Sequence, residues 1–181
     1  LLAAVMVMGM SVSAFAADGG NATQVTIADG DTPYISFGAD LRADEKAKVL
    51  ELFGLTEADL EKCNVNTVTN AEEHQYLDAY LDYSLIGDQA LSSALVVGKE
   101  SGYGIQVTTQ NISYCTVGMY QNALATAGIE NADIKVAGPA KISGTAALIG
   151  VMKAYSEMTG EPLQAENVEA AATLAYRNFL N

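Results

Sequence analysis

The strongest constraint on the fold is the alternation of β-branched runs with segments of helical periodicity. Strand patterns recur from "YISF" at 34–37 to "ADIKVAG" at 132–138, with helix caps or glycines between them. The predicted order is β-α-α-β-α-β-β-α-β-α-α. A helix between two strands favours a right-handed crossover, which makes those strands parallel. The sequence therefore predicts an α/β (α+β) fold in which helices cover one sheet in a single domain.

One connection departs from this alternation. The runs "QALSSALVV" at 89–97 and "YGIQVTTQNISY" at 103–114 are separated only by "GKESG", whose Gly98 and Gly102 suit a hairpin turn. An antiparallel pair at this point would make the sheet a mixed parallel and antiparallel one.

Polar residues at helix starts predict where the helices begin, because their side chains accept the free N–H groups of the first turn. The first long helix is expected to end at Gly54. The expected caps are Asp40, the pair Thr56 and Asp59, the pair Asn70 and Glu73, and Ser143.

The chain opens on an uncharged apolar run that ends in Ala14-Phe15-Ala16, the A-x-A pattern of a signal-peptidase site. We expect residues 1–16 to be a signal peptide without its n-region, and 17–32 to be a flexible mature N-terminus. Residues 33–181 would form one domain, truncated at its C-terminus. The apolar run is too short for a transmembrane helix, so we expect a secreted or envelope-associated protein with no membrane insertion after cleavage.

Charge narrows the class of partner. The formal net charge is −13 at pH 7, whereas nucleic acids and anionic lipids require a field of Lys and Arg. The expected partner is a small polar ligand or an envelope protein. Cys63 and Cys115 would share an oxidising compartment, which permits a disulfide, but spacing in the sequence does not fix the distance between them.

The stretch "DIKVAGPAKISGTAALIGVMKAY" at 133–155 carries a Gly-rich corner before an apolar helix. A Walker A loop needs Lys directly before the hydroxyl residue, and Lys141 lies too far upstream. A nucleophile elbow needs G-x-S-x-G, and the first Gly is missing. An ordinary connection explains the residues, with Gly138-Pro139 ending the strand, Ser143 capping the helix and Gly144 allowing close approach of helix to sheet.

A ligand site is the alternative interpretation of this stretch. If the strands at 105–112 and 132–137 are parallel neighbours, the helices that follow them begin at the same sheet edge, where open α/β sheets bind ligands. The ligand-binding candidates are Thr116, Ser143, Gly144 and Thr145. A neutral polar ligand fits these donors as well as a phosphate does.

Metal and catalytic motifs are weak. His74 is the single histidine, and with Asp78 at i,i+4 it could form one face of a metal site, but H-E-x-x-H is absent. A solvated helix surface is the preferred interpretation. Tyr76, Tyr80 and Tyr83 suit either a carbohydrate platform or half-buried packing. No pattern indicates a catalytic residue, a metal or a cofactor.

Several blocks carry a resemblance to a known family, including "VTTQNISYCTVGMYQNALATAGIENADIKVAGP" and "ISGTAALIGVMKAY". Over roughly residues 35 to 165 the chain resembles the YpuA-like predicted secreted proteins, a bacterial domain-of-unknown-function family. The resemblance implies export, a longer helical C-terminal part and no known reaction. Cys115 fits the family block whereas Cys63 does not, which disfavours the bridge.

These observations favour a non-catalytic binding or interaction module of the cell envelope or extracellular space. Its ligand site, if it has one, is expected at the loops 111–116 and 138–145. The alternative is a cell-envelope hydrolase or transferase that uses the same loops. A deep pocket with clustered titratable groups would favour the enzyme, and a polar cleft would favour the module.

Overall fold

The strands and helices follow the predicted alternation closely. The structure is a computed structural model, and it describes residues 25, 27–28, 30–126, 128–162, 166, 168–170 and 173. The strands are β1 (Tyr34–Gly38), β2 (Asn64–Val68), β3 (Ser93–Gly98), β4 (Ile105–Ile112) and β5 (Ala132–Ile142). The helices are α1 (Ala43–Phe53), α2 (Asn70–Leu77), α3 (Tyr83–Ile86), α4 (Val117–Thr126) and α5 (Thr145–Thr159), with a 3₁₀ helix at Glu57–Lys62.

The five strands form one sheet in the order β2-β1-β3-β5-β4. β1 pairs parallel with β2, β4 pairs parallel with β5, and β3 runs antiparallel to both of its neighbours, β1 and β5. Four strands therefore point the same way and β3 points the opposite way. The mixed sheet is confirmed. The strands at 105–112 and 132–137 are parallel neighbours, which is the condition on which the ligand-site interpretation depends.

The predicted hairpin between β3 and β4 is wrong, because β5 lies between them. Residues 132–139 of β5 are buried, whereas β4 is partly exposed as an edge strand is. The connection between β3 and β4 contains two glycines with positive φ, Gly102 and Gly104. The backbone N–H groups of both glycines donate to Asn131 Oδ1. These two hydrogen bonds tie the connection between β3 and β4 to the loop before β5.

The sheet separates two apolar clusters, because successive residues of a strand face opposite sides. On β3, Ala94 and Val96 belong to the larger cluster, which includes α4 and α5. Leu95 and Val97 belong to the smaller cluster, where α1 packs. The larger cluster contains the helices that follow β2, β4 and β5, so those helices lie on one face.

Two expected helix starts are offset by one or two residues. Arg42, not Asp40, precedes α1, and its backbone N–H donates to the Glu45 carboxylate at 3.0 Å. Asp40 instead accepts from the backbone N–H of Ala90 at 2.8 Å. The pair Thr69 and Glu72, not Asn70 and Glu73, forms the capping box of α2. Since T-x-x-E and N-x-x-E overlap here, the sequence pattern fits both registers.

Two other predicted helix boundaries are confirmed, one at the start of the 3₁₀ helix and one at the end of α1. Thr56 and Asp59 form the capping box of the 3₁₀ helix, with the Thr56 N–H donating to Asp59 at 2.8 Å. Gly54 ends α1 with a φ of 77°. Local sequence signals therefore correctly predicted the C-terminal end of α1 and the start of the 3₁₀ helix.

The corner before α5 is not built as expected. β5 continues through Gly138-Pro139 to Ile142, which pairs with Ile112 beyond a register shift in the β4–β5 ladder. Pro139 has no backbone N–H to donate to a neighbouring strand, and a register shift of this kind is one of the places in a sheet where proline is tolerated. The residue before α5 is Gly144, and it makes no side-chain cap. Ser143 is therefore not the cap of this helix.

Cys63 and Cys115 are free thiols. Cys63 packs at the edge of the α1-side cluster, whereas Cys115 is buried in the cluster on the other face. The sheet lies between the two groups, so the structure does not contain the bridge that the sequence left open.

The expected signal peptide at 1–16 and most of the expected mature N-terminus lie outside the described residues, as does most of the apolar segment 163–180. In the described part of the chain, no helix is both long enough and apolar enough to cross a membrane.

Candidate functional site

A cleft of about 340 Å³ opens at the sheet edge where β2, β4 and β5 end. This is the edge where open α/β sheets bind their ligands. Six hydroxyl-bearing side chains line the cleft: Ser84, Ser92, Ser113, Tyr114, Ser143 and Thr145. Glu73 and Lys141 supply its charged groups, and Leu85, Ile86, Leu91 and Ile142 are among its apolar lining residues.

The most unusual group in the cleft is the carboxyl of Glu73, which is 1 % exposed. Glu73 lies in the first turn of α2, and its Oε1 accepts the hydroxyl of Thr145 at 2.7 Å. Its Oε2 accepts from Asn70 Nδ2 at 3.2 Å. Buried carboxyl groups are rare unless they are paired, so this arrangement is a specific feature of the site.

Burial raises the pKa of Glu73 to about 7, because the charged carboxylate is poorly solvated. The hydrogen bonds from Thr145 and Asn70 oppose this rise, as does the nearby His74, whereas Asp40 adds to it. The carboxyl therefore changes its protonation state near neutral pH. Such groups occur both at functional sites and in structural networks.

A chain of hydroxyl groups extends from Glu73 to the cleft. Ser143 Oγ lies 3.1 Å from Thr145 Oγ1, and Thr145 donates to Glu73. When Glu73 is ionised it can only accept, so the Thr145 proton points to Glu73 and the Ser143 proton points to Thr145. The ionised form of a buried carboxyl thus fixes the direction of hydrogen bonding at the half-buried Ser143.

The helix α3 forms one wall of the cleft and is held by the carbonyl of Gly87, its C-cap residue. That carbonyl accepts from Asn70 Nδ2 at 3.0 Å and from His74 Nε2 at 2.9 Å. His74 also bonds to Asp78 at 2.6 Å and stacks on Tyr83 at 4.7 Å. His74 is therefore more enclosed than a solvated helix surface, and it supports the wall rather than lining the cleft.

Gly144 lies directly behind the cleft and has a φ of 99°. A Cβ there would be 2.5 Å from Tyr120 Oη and 2.7 Å from Ile112 Cγ2. The buried Tyr120 hydroxyl donates to the Gly144 carbonyl at 2.8 Å. Only glycine fits this position, where the start of α5 closely approaches Tyr120 of α4 and Ile112 at the end of β4.

The ligand-binding candidates chosen from the sequence divide into two groups. Ser143 and Thr145 line the cleft, with Gly144 between them. Thr116 is not among the lining residues, and its Oγ1 accepts from the Met119 N–H at 3.3 Å as a helix cap does.

Sequence reasoning missed Glu73, Ser84 and Ser92 as site residues, whereas Ser113 lies in the predicted 111–116 loop without being a named candidate. Glu73 was assigned to a capping box, because an acidic residue in a first helical turn is usually a cap. Its contact with Thr145 joins residues 72 positions apart, and no local signal reveals that contact. Among the described residues, no group of three or more His, Cys, Asp or Glu side chains converges as metal ligands would.

The fold and the cleft define a single-domain mixed α/β protein with a hydroxyl-rich cleft at the carboxyl edge of its sheet. The chain belongs to the family described as "Protein of unknown function (DUF1002)", whose family model matches residues 37–176. It is 40% identical over 152 residues to "Uncharacterized protein YpuA" of Bacillus subtilis (strain 168). The expected family membership is therefore confirmed.

That alignment covers 82% of this chain and 50% of the Bacillus subtilis protein, so the chain spans about half the length of this relative. No solved structure matches the chain.

Proposed function

We propose that the protein is an exported, non-catalytic binding module that takes a small polar ligand into the cleft. One observation carries this proposal: a buried carboxyl and its hydroxyl partners form part of a cleft at the edge where sheets of this type bind ligands. Binding sites typically combine apolar walls with a few convergent polar groups. Leu85, Ile86 and Leu91 supply the walls, and Glu73 with Thr145 supplies the polar groups.

The number of carboxyl groups in the cleft favours a binding role over glycoside hydrolysis. Most glycosidases use two carboxyl groups that flank the bond they cleave. Of the residues named as lining the cleft, Glu73 alone is acidic. One carboxyl can orient a ligand but does not supply that acid and base pair.

The second candidate function is a cell-envelope hydrolase or transferase with its site at loops 111–116 and 138–145. The chain from Ser143 through Thr145 to Glu73 favours it, because a carboxylate at the end of such a chain can accept the proton of an attacking hydroxyl. A fluorophosphonate probe tests this candidate: a covalent mass increase on Ser143 supports it. An unchanged mass after prolonged incubation supports the binding module.

The experiment that tests the binding proposal is a thermal-shift panel of divalent cations, phosphosugars, nucleotides, polyols and soluble cell-wall fragments. A ligand at 100 times its Kd should stabilise the fold by about 2.7 kcal/mol. The shift should disappear in Thr145→Val and persist in Thr126→Val, where the lost hydroxyl donates to Asn122 within α4. A panel in which nothing shifts the wild-type protein contradicts the proposal.

Export is tested by expression in a bacterium of the chain preceded by Met-Lys. The exported product should begin at Ala17, as expected for cleavage after Ala14-Phe15-Ala16. Retention of the uncleaved chain in the cytoplasm contradicts the proposed export.

A further inference from the structure

Four hydroxyl groups of the cleft donate their protons to other groups of the protein, namely those of Ser84, Ser113, Ser143 and Thr145. Ser84 donates to the Asp82 carboxylate at 2.7 Å, and Ser113 donates to the Ile142 carbonyl at 2.9 Å. Both acceptors lack a proton of their own, so the direction of each bond is fixed. These two serines therefore offer a ligand only the lone pairs of their oxygens.

The hydrogen-bonded chain from Ser143 through Thr145 to Glu73 likewise leaves only acceptors for a ligand. With Thr145 donating to Glu73, Ser143 donates to Thr145 and likewise keeps only its lone pairs for the cleft. Each oxygen of the Glu73 carboxylate accepts one hydrogen bond from the protein and can accept another. Four side chains of the cleft thus present acceptors at neutral to alkaline pH.

Three lining groups present donors, namely Ser92, Lys141 and the exposed side-chain amide of Gln89. Ser92 accepts from the backbone N–H of Ala147 at 2.9 Å, which leaves its own proton free. Lys141 is exposed and brings an ammonium group to the cleft. Glu73 and Ser143 lie in one hydrogen-bonded chain and both present acceptors, so this part of the cleft favours a ligand that donates hydrogen bonds.

We infer that the ligand of this cleft carries a protonated primary amine, which binds at Glu73 and Ser143, on a hydroxyl-bearing carbon chain. An ammonium group has three donors and no acceptor, so it matches a carboxylate beside inward-donating hydroxyls. Charge-assisted bonds of this kind are about twice as strong as neutral ones. The inference rests on the proposed function, because it assigns a chemical class to the ligand of the same cleft.

The experiment compares glucamine with sorbitol, which differ only in an amine that replaces one hydroxyl. Binding to the wild-type protein is measured by isothermal titration calorimetry at pH 8, with N-acetylglucamine as the uncharged amide. Glucamine should bind at least about tenfold more tightly than either neutral compound, as expected for one charge-assisted hydrogen bond. Equal affinities for glucamine and sorbitol overturn the inference but leave the proposed polar-ligand site intact.

The Glu73→Gln variant tests the direction of the hydroxyl chain. A Gln amide that accepts from Asn70 donates to Thr145, so Thr145 donates to Ser143 and the Ser143 proton turns to the cleft. The preference for glucamine should then fall to within about twofold of sorbitol. Glu130→Gln, on the exposed loop before β5, removes the same charge and should keep the preference.

The pH dependence supplies a further readout. Glu73 is faced by Asp40 and His74, and it lies near the buried thiol of Cys115 and in one cleft with Lys141. Since an ammonium binds the ionised carboxylate, glucamine affinity should fall below pH 7, by up to about tenfold per pH unit. A preference for glucamine that survives unchanged in Glu73→Gln overturns the assignment. Failure of glucamine, sorbitol and the whole thermal-shift panel overturns the inference together with the proposed function.

Discussion

The hydroxyl of Thr145 donates to Oε1 of Glu73 at 2.7 Å, although the two residues lie 72 positions apart. This bond joins the first turn of α2 to the first turn of α5, the helices that follow β2 and β5. Both helices lie on the same face of the sheet, and their first turns meet beside the cleft. The pair therefore fixes the geometry of the cleft and places a buried carboxyl within it.

The first prediction concerns stability against pH. The pKa of Glu73 rises from its ordinary 4.5 to about 7, so the folded state holds a proton that the unfolded state loses. The associated stability is fully present below pH 4.5 and is lost as pH rises through 7. The difference between the unfolded and folded pKa values corresponds to roughly 3 kcal/mol in the free energy of unfolding. In Glu73→Gln, the free energy of unfolding in urea should therefore fall less between pH 5 and pH 8, by about this amount.

The control for this prediction is Glu130→Gln, whose carboxyl is on an exposed loop residue. It should keep the wild-type dependence on pH. A wild-type protein whose stability does not change between pH 5 and pH 8 would show that Glu73 is ionised in the fold at both pH values.

The second prediction concerns the pKa of Glu73 itself. The Thr145 hydroxyl stabilises the charged carboxylate, so Thr145→Val should raise the pKa above its value of about 7. The titration of the Glu73 side-chain carboxyl carbon in a ¹³C NMR spectrum measures this change. Thr126→Val serves as the control, since its hydroxyl bonds within α4. A lower pKa in Thr145→Val would contradict the donor role of Thr145.

The third prediction concerns His74. Its Nδ1 contacts the Asp78 carboxylate and its Nε2 contacts the Gly87 carbonyl, both of which only accept. The imidazolium form, with a proton on each nitrogen, satisfies both acceptors, and the Asp78 hydrogen bond raises the pKa of His74 above 6.5. Stability from this pair is present below pH 6.5 and is lost as pH rises through the folded pKa.

NMR titration of the His74 Cε1–H signal measures this pKa. Asp78→Asn should lower it, because the charged acceptor is lost. Asp82→Asn, at the cap of α3, should leave it closer to the wild-type value. A His74 that titrates below 6.5 in the wild-type protein is incompatible with two donated hydrogen bonds.

The elements of this fold were predictable where the signal was local. Strand runs, glycine stops and the Thr56 and Asp59 cap depend on neighbours within a few residues, and the structure has them as expected. The α2 cap was displaced by one position, since Thr69 and Asn70 both precede a Glu at the required spacing. Local patterns thus identified the helices but not every register.

Local sequence signals could not predict the order of the strands in the sheet. The insertion of β5 between β3 and β4 depends on which strand best tolerates burial on both sides, a property of the assembled sheet. The candidate site was half predictable for the same reason. Ser143 and Thr145 were found from the strand-to-helix corner, whereas Glu73 reaches the cleft through a contact from another element.

The fourth prediction concerns the two thiols. Cys115 is 3 % exposed, and burial raises its pKa to about 12, so it should not react with iodoacetamide in the folded protein. Cys63 is partly exposed, so its thiol should be labelled slowly, because burial and Asp59 also raise its pKa. Mass spectrometry should find one label in the native state and two in urea without reductant. No label in urea would reveal a Cys63–Cys115 bridge.

The last prediction separates backbone strain from steric clash at Gly144. Gly144 and Gly160 both have positive φ, at 99° and 73°, so alanine at either position adopts a left-handed conformation. That conformation costs an L-residue about 1–2 kcal/mol. At Gly160 an added Cβ would meet nothing within 4 Å, whereas at Gly144 it would lie 2.5 Å from Tyr120 Oη.

Gly160→Ala should therefore lower the free energy of unfolding by about 1–2 kcal/mol, through strain alone. Gly144→Ala should lower it by at least about 1 kcal/mol more, because overpacking of a well-packed interior typically costs 1–3 kcal/mol. Urea unfolding of both variants at one pH measures the difference. If the two substitutions cost the same, the start of α5 can shift away from Tyr120 without loss. The cleft would then not depend on the fit between Gly144 and its neighbours.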